Sequence, residues 1–367
     1  MTHMTQLMLD VINKKNTSYL PSQIVFSTAK TRESVRTQLG FANDDDLDRF
    51  LENHVLFTST LDDIPSYYYG DIEKMELAEK TGHASIYWDR QRVRDRWGLE
   101  FDIHAPDGFF NWRNPLLDLD DAKLEAFQAP VLNDMDDMFS FAESDLAKYS
   151  SERLVMCNGY GGIFERSYNL TSFEEFMYLL AAEPDLACKL MDKVLEYKIE
   201  IAKETIQRGF KVAHYGDDLG TQVATLMSRD MFRNTLLPRM KKLFRVYKDG
   251  GMPIQMHSCG HITAFIPDLI DIGLDILEPV QPIMNIQFLK REYGKDITFY
   301  GGIDTQDLLT YQSPAKVKEE TLRTIDILGH NGGYICAPSQ EIMPNVPVEN
   351  VLAFLDAVKE TRGNRLS

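Results

Sequence analysis

Ile254-Gln255-Met256-His257-Ser258-Cys259-Gly260-His261 is the most informative stretch of this chain. A short, mostly apolar run ends abruptly in imidazole, hydroxyl, thiol and glycine. The same design recurs on both sides of it. Leu154-Val155-Met156 is followed by Cys157-Asn158-Gly159-Tyr160, and Phe210-Lys211-Val212-Ala213 by His214-Tyr215-Gly216-Asp217-Asp218. Leu274-Asp275-Ile276-Leu277 runs into Glu278-Pro279-Val280-Gln281, and Ile297-Thr298-Phe299-Tyr300 into Gly301-Gly302-Ile303-Asp304-Thr305-Gln306. Tyr334-Ile335 runs into Cys336-Ala337-Pro338-Ser339-Gln340-Glu341. Between these runs lie helical stripes with a period near 3.6: Leu186, Leu190, Val194, Tyr197 and Ile201, then Val317, Leu322, Ile325 and Leu328. Gly209, Gly251, Gly273 and Gly294 stand where each helix should stop before the next strand. Strand and helix in repeated alternation predict a parallel α/β fold.

No Gly-x-Gly-x-x-Gly fingerprint or Walker phosphate loop is present. The pattern therefore favours a distorted TIM (β/α)8 barrel over a dinucleotide-binding sheet, with an elaborated N-terminal region. Residues 1–367 read as one barrel domain: 151–367 hold the well-patterned units, and 1–150 hold an extension and the first strands. In that first part Ile24-Val25-Phe26 is a strand candidate, Asp44 to Asn53 a helix, Val55-Leu56-Phe57 a strand and 84–103 two or three strands. Tyr67-Tyr68-Tyr69 is an aromatic loop.

Acidic residues number 56 against 39 basic ones, a formal net charge of −17. A nucleic-acid surface needs a basic stripe and anionic lipid needs a cationic face, so neither partner is expected. No apolar run approaches the roughly 20 residues of a membrane span. The N-terminus shows no signal-peptide pattern, so a cytoplasmic protein is expected. Four cysteines (157, 188, 259 and 336) are no disulfide framework and are read as free thiols. A homodimer stays open.

In a barrel the active site lies at the C-terminal ends of the strands. His257 and Cys259, two apart in extended chain, point to one side, and imidazole with thiolate is a zinc donor set. Cys336, also at a strand end, is the candidate third ligand, and His261 is a spare. The alternative is that Cys259 and Cys336 are small buried thiols. Of Asp217 and Asp218, which must point apart, one is expected to face the site and the other to cap a turn or helix. His214, Tyr215, Gln281, Asp304 and Gln306 complete the polar strand ends as candidate substrate contacts. Cys188 falls inside a helix and is assigned to packing.

At these residues the chain resembles the uroporphyrinogen decarboxylase superfamily. The resemblance is carried by Gly209 to Val212 with Gly216 to Gln222, by His257 to His261, Gly273 to Gln281, Gly301 to Gln306 and Gly332 to Pro338. It implies a distorted TIM barrel. That superfamily contains true decarboxylases, with an Arg-Gln-Ala-Gly-Arg-Tyr segment that this chain lacks, and zinc-dependent methyltransferases working with a corrinoid protein. The methyltransferase branch implies zinc at His257, Cys259 and Cys336, with the surroundings of Cys336 departing from the branch. It also implies that a methyl group moves from a small methylated substrate, a methoxylated aromatic being the first expectation, to the Co(I) corrinoid. No Asp-x-His-x-x-Gly corrinoid motif occurs, so the cobalamin is expected on a separate protein. In that chemistry Asp217, Asp218 and Glu341 are candidates for proton supply or ligand orientation. A methylcobamide:thiol methyltransferase and a uroporphyrinogen decarboxylase are the alternatives.

Overall fold

The computed structural model describes residues 1–15, 18–63, 72–87, 89, 92–102, 111–158 and 161–366. The Tyr67–Tyr69 loop lies outside the described residues. The first strand is β1 (Val55–Ser59). A small antiparallel sheet follows, of β2 (Ala84–Tyr87), β3 (Arg92–Asp95), β4 (Glu100–Asp102) and β5 (Asn111–Arg113). The main sheet resumes with β6 (Leu154–Asn158), β7 (Ala213–Gly216), β8 (Ile254–His257), β9 (Ile276–Val280), β10 (Thr298–Ile303) and β11 (Tyr334–Pro338). Its seven strands run in the order β1-β6-β7-β8-β9-β10-β11, and every pair is parallel. The α/β expectation therefore holds, and the parallel sheet curls into a half-barrel.

Side chains along a strand alternate, and the two faces of this sheet hold different cores. Val55, Leu154, Met156, Val212, Ile276, Tyr300, Ile335 and Ala337 share one cluster with Met8 and Ile12 of the N-terminal helix His3–Ile12. That helix sits at the strands' N-terminal end, where Thr298 Oγ1 donates to the Ile12 carbonyl at 2.9 Å. The other face carries the helices. There Val155, Cys157, Ala213, Tyr215, Ile254, Met256, Leu277, Phe299 and Cys336 join the large cluster built with helices such as Pro184–Gln207 and Pro314–Leu328. The small sheet is tied on by Arg166, whose guanidinium donates to the buried Asp95 carboxylate at 2.6 Å and lies over the Trp97 ring.

Several expected elements are shifted. Ile24–Phe26 is not a regular strand. Its neighbourhood makes only isolated parallel bridges, Ser22 to Cys336 and Phe26 to Ile342. The segment around Ser22 nevertheless bonds to both edge strands' neighbourhoods: Gln23 N donates to Cys336 O, and His54 N to Ser22 O. β7 starts at Ala213 rather than Phe210, because its partner β8 pairs Ala213 with Ile254 and Gly216 with His257. His214 and Tyr215 consequently lie within the strand and not after it. For the same reason Cys336 sits in the middle of β11. Among the described residues no helix is long and apolar enough to cross a membrane.

The seam at Ser22 contains a buried histidine. His54 Nδ1 meets the Ser22 backbone, and its Nε2 lies 2.5 Å from the Tyr19 hydroxyl. Burial, reinforced by the Arg362 guanidinium, pushes its pKa down to about 4. The unfolded chain protonates this imidazole near its ordinary value while the folded chain keeps it neutral. Its contribution to stability is thus complete above the unfolded pKa and is lost as pH falls toward about 4, a swing of about 3 kcal/mol. Urea midpoints taken at about pH 7 and about pH 4.5 should fall further for the wild type than for His54→Gln. Parallel losses in the two proteins would exclude His54 as the source.

Candidate functional site

The functional groups gather where β7, β8 and β9 end. Donor atoms of Asp218, His257 and Cys259 lie within 4.8 Å of one another. His257 Nε2 is 3.5 Å from Cys259 Sγ and 3.6 Å from Asp218 Oδ1. The other ring nitrogen, Nδ1, is 2.7 Å from Glu278 Oε2. A carboxylate there accepts the Nδ1 proton and turns Nε2 toward the sulfur and Asp218. Burial alone would lower the His257 pKa. The Glu278 and Cys259 charges more than offset this and hold it well above its ordinary value. Burial raises the Cys259 thiol, with His257 opposing.

The loop after β8 is locked onto the loop after β7. Cys259 N donates to Asp218 Oδ1 at 2.7 Å, and Leu219 N donates to Ser258 Oγ at 3.0 Å. The two loops touch at Gly220 and Gly260. A Cβ on Gly260 would lie 2.2 Å from the Gly220 carbonyl carbon, and Gly260 has φ +89, a region that side chains disfavour. Glycine at both positions is what lets Cys259 approach Asp218.

The adjacent aspartates divide as their opposed directions require. Asp218 faces the site, its side chain about 40% exposed. Asp217 is fully buried on the other side and caps a helix, though the preceding one rather than the next. Oδ1 accepts from Glu165 N at 2.8 Å, and Oδ2 accepts from Phe164 N at 3.1 Å and from the Tyr215 hydroxyl. These amides open the helix Ile163–Thr171, whose own cap, Gly162, has no side chain to offer. A Cβ at Gly162 would lie 2.4 Å from the Asp217 carboxyl carbon. Burial lifts the Asp217 pKa to about 6 against its hydroxyl and amide donors. Asp217 is therefore the capping member of the pair, which leaves Asp218 as the one turned to the site for proton supply or ligand orientation.

The remaining candidates scatter. Tyr215, an expected substrate contact, faces the helices, and its hydroxyl serves Asp217. His214 is buried on the concave face against Phe57, 5.0 Å between ring centres, with its pKa well lowered by burial and then by His257. Gln281 Oε1 accepts from Gly260 N at 2.8 Å. Asp304 turns back to accept from Gln306 N at 2.8 Å and from the Asp307 and Leu308 amides, capping the short helix Leu308–Tyr311. Gln306 is exposed. Glu341 lies within the field of His257, Glu278 and Asp218, its carboxyl raised by burial. His261 is held by its backbone, N to Thr221 O at 2.8 Å.

Cys336 does not join the cluster. Its neighbours Ile335 and Ala337 take the concave face, so alternation turns its thiol toward the helices, fully buried, with its pKa pushed up to about 12 by burial. The position expected of it beside His257 and Cys259 is filled by Asp218. Past β11 it is Gln340 that reaches the sulfur, Oε1 at 3.9 Å from Cys259 Sγ. Two groups that sequence reasoning overlooked are Glu278, read only as a strand-end residue, and Glu165. Glu165 Oε1 accepts from Asp218 N at 3.3 Å, and burial with Asp218 and Asp217 holds its carboxyl well above the ordinary range. No spacing signal links Glu165 to residues fifty positions away.

The two aspartates should separate on substitution. Asp217→Asn replaces one acceptor oxygen with a donor facing amide and hydroxyl donors, and should cost about 2 kcal/mol in urea unfolding. Asp218→Asn keeps an oxygen for Cys259 N and should stay within about 0.5 kcal/mol of wild type. Equal losses would contradict this division.

The structure aligns over 98% of its length with 99% of a methyltransferase from Methanosarcina mazei, TM-score 0.68 at 18% identity, a likeness of fold. The sequence is 26% identical over 202 residues to a methylcobamide:CoM methyltransferase MtaA from Methanosarcina barkeri, 55% of this chain and 57% of that one. It is 24% identical over 189 residues to a uroporphyrinogen decarboxylase from Actinobacillus succinogenes, 52% of each. The chain thus spans about half the length of the curated relatives it matches. The family model Uroporphyrinogen decarboxylase (URO-D) matches residues 83–361, and the chain belongs to that family.

Proposed function

We propose that this chain is a metal-dependent methyltransferase of its family, moving a methyl group between a small methylated compound and the corrinoid of a separate protein. The observation that carries this reading is the convergence of Asp218, His257 and Cys259 donor atoms within 4.8 Å. One carboxylate, one imidazole and one thiolate fit zinc, which in catalytic sites takes three protein ligands and leaves a fourth position open. The MtaA likeness supports the corrinoid partner, and the finer choice of a methoxylated aromatic as methyl donor is part of the proposal. The fold belonging to this reading is a distorted TIM barrel, in which the segment around Ser22 stands between β11 and β1.

Zinc bound there supplies a Lewis acid at the oxygen or sulfur of the substrate. The chain does the rest. Glu278 fixes the His257 ring through Nδ1, so that Nε2 is presented as a ligand. Asp218 serves twice, as a ligand and, through Oδ1, as the acceptor that holds the Cys259 backbone. In this reading Glu341, whose carboxyl is raised by burial, would carry a proton for the departing heteroatom. His214, held neutral by burial, packs against Phe57 close to His257 and adds no charge there. The likeness to MtaA, a methylcobamide:CoM methyltransferase, favours a second reading, in which the methyl group passes from methylcobamide to a thiol.

Incubation with a methoxylated aromatic and a reduced corrinoid protein should produce methylcobalamin, and incubation with methylcobalamin and a thiol tests the second direction. No transfer in either direction, with turnover of uroporphyrinogen instead, would overturn the reading. Elemental analysis should find zinc retained in Cys336→Ala and lost in Cys259→Ser. Loss in Cys336→Ala with its fold intact would restore the ligand set expected from the sequence.

A further inference from the structure

Gln281, at the end of β9, was expected to meet substrate, yet its amide is engaged on three sides. Oε1 accepts from Gly260 N at 2.8 Å. Nε2 lies 3.4 Å from Ser339 O and 3.8 Å from Cys259 Sγ. The Gly260 N–H needs an oxygen opposite it, so the amide cannot be turned round without setting donor against donor. The NH2 end is thereby fixed toward the sulfur and the Ser339 carbonyl. A single side chain thus ties together the loops that follow β8 and β11 and aims an N–H at the thiol of the candidate metal centre.

Resting on the metal-centre reading above, we infer that Gln281 is a positioning residue that donates an N–H···S hydrogen bond to the Cys259 thiolate. Such a bond draws charge away from sulfur. A metal ion held by that sulfur then receives less electron density and is the stronger Lewis acid toward a fourth ligand. The same contact holds Cys259 at its distance from His257 Nε2, 3.5 Å. This is a role in tuning the centre and not in contacting substrate, and it requires an amide: a carboxylate has no proton to give, and an apolar chain has neither end.

Cobalt(II) loaded into the metal-free protein reads this directly, through the near-ultraviolet thiolate-to-cobalt charge-transfer band. Gln281→Glu keeps an oxygen for Gly260 N and removes the donor to sulfur. Gln281→Leu removes both. Each should move the band to longer wavelength, because a sulfur without its hydrogen bond gives up an electron more easily. Gln281→Leu should also weaken cobalt binding about 10-fold in competition with a chelator. Bands at the wild-type wavelength in both variants overturn the inference, including where a raised KM shows that Gln281 contacts substrate. A wild-type protein that binds cobalt with no thiolate band, or not at all, contradicts the metal centre itself, which separates the two failures.

Discussion

Two neighbouring side chains on a strand cannot face the same way, and the whole site depends on that constraint. It sends Ile335 and Ala337 to the concave face and Cys336 to the helices. It sends His214 inward and Tyr215 outward on β7. Just past β7 the same opposition separates Asp217, sunk against the start of a helix, from Asp218, left at the mouth. A parallel sheet fixes this phase for every strand at once, since each strand's register is set by both neighbours. Shifting one strand by a residue would exchange the buried cap for the facing ligand.

The second half of the chain was legible because each βα unit announces itself: a short apolar run, polar residues beside glycine, then a helical stripe. That sufficed for the parallel α/β fold, for His257 beside Cys259, and for one of Asp217 and Asp218 facing the site without saying which. What could not be read was phase. Apolar runs mark where a strand lies to within a few residues, and the period of two turns an error of one residue into the wrong face. Cys336 reads as the first residue after a strand, yet it is the middle residue of β11. The capping role of Asp217 was half-visible, as one of a pair that must diverge, but its partner helix lies fifty residues earlier in the chain. Glu278 was visible as a residue, whereas its bond to His257 needed the β8–β9 register, which pairs His257 with Glu278.

The charge balance acquires a local meaning in this light. Glu165, Asp217, Asp218, Glu278 and Glu341 all act on the surroundings of one histidine and one thiol. Burial holds the Glu165, Asp217 and Glu341 carboxyls above their ordinary range, and repulsion from neighbouring carboxylates adds to it at Glu165 and Glu341. A divalent cation held by Asp218, His257 and Cys259, as proposed above, would offset part of that negative charge.

A zinc-edge anomalous difference map from a crystal of the zinc-loaded protein tests the central claim most directly. The account predicts one strong peak bonded to Asp218, His257 Nε2 and Cys259 Sγ, with Glu278 on Nδ1 and one position open. A peak bonded to Cys336 Sγ, or none between β7 and β8, would contradict it.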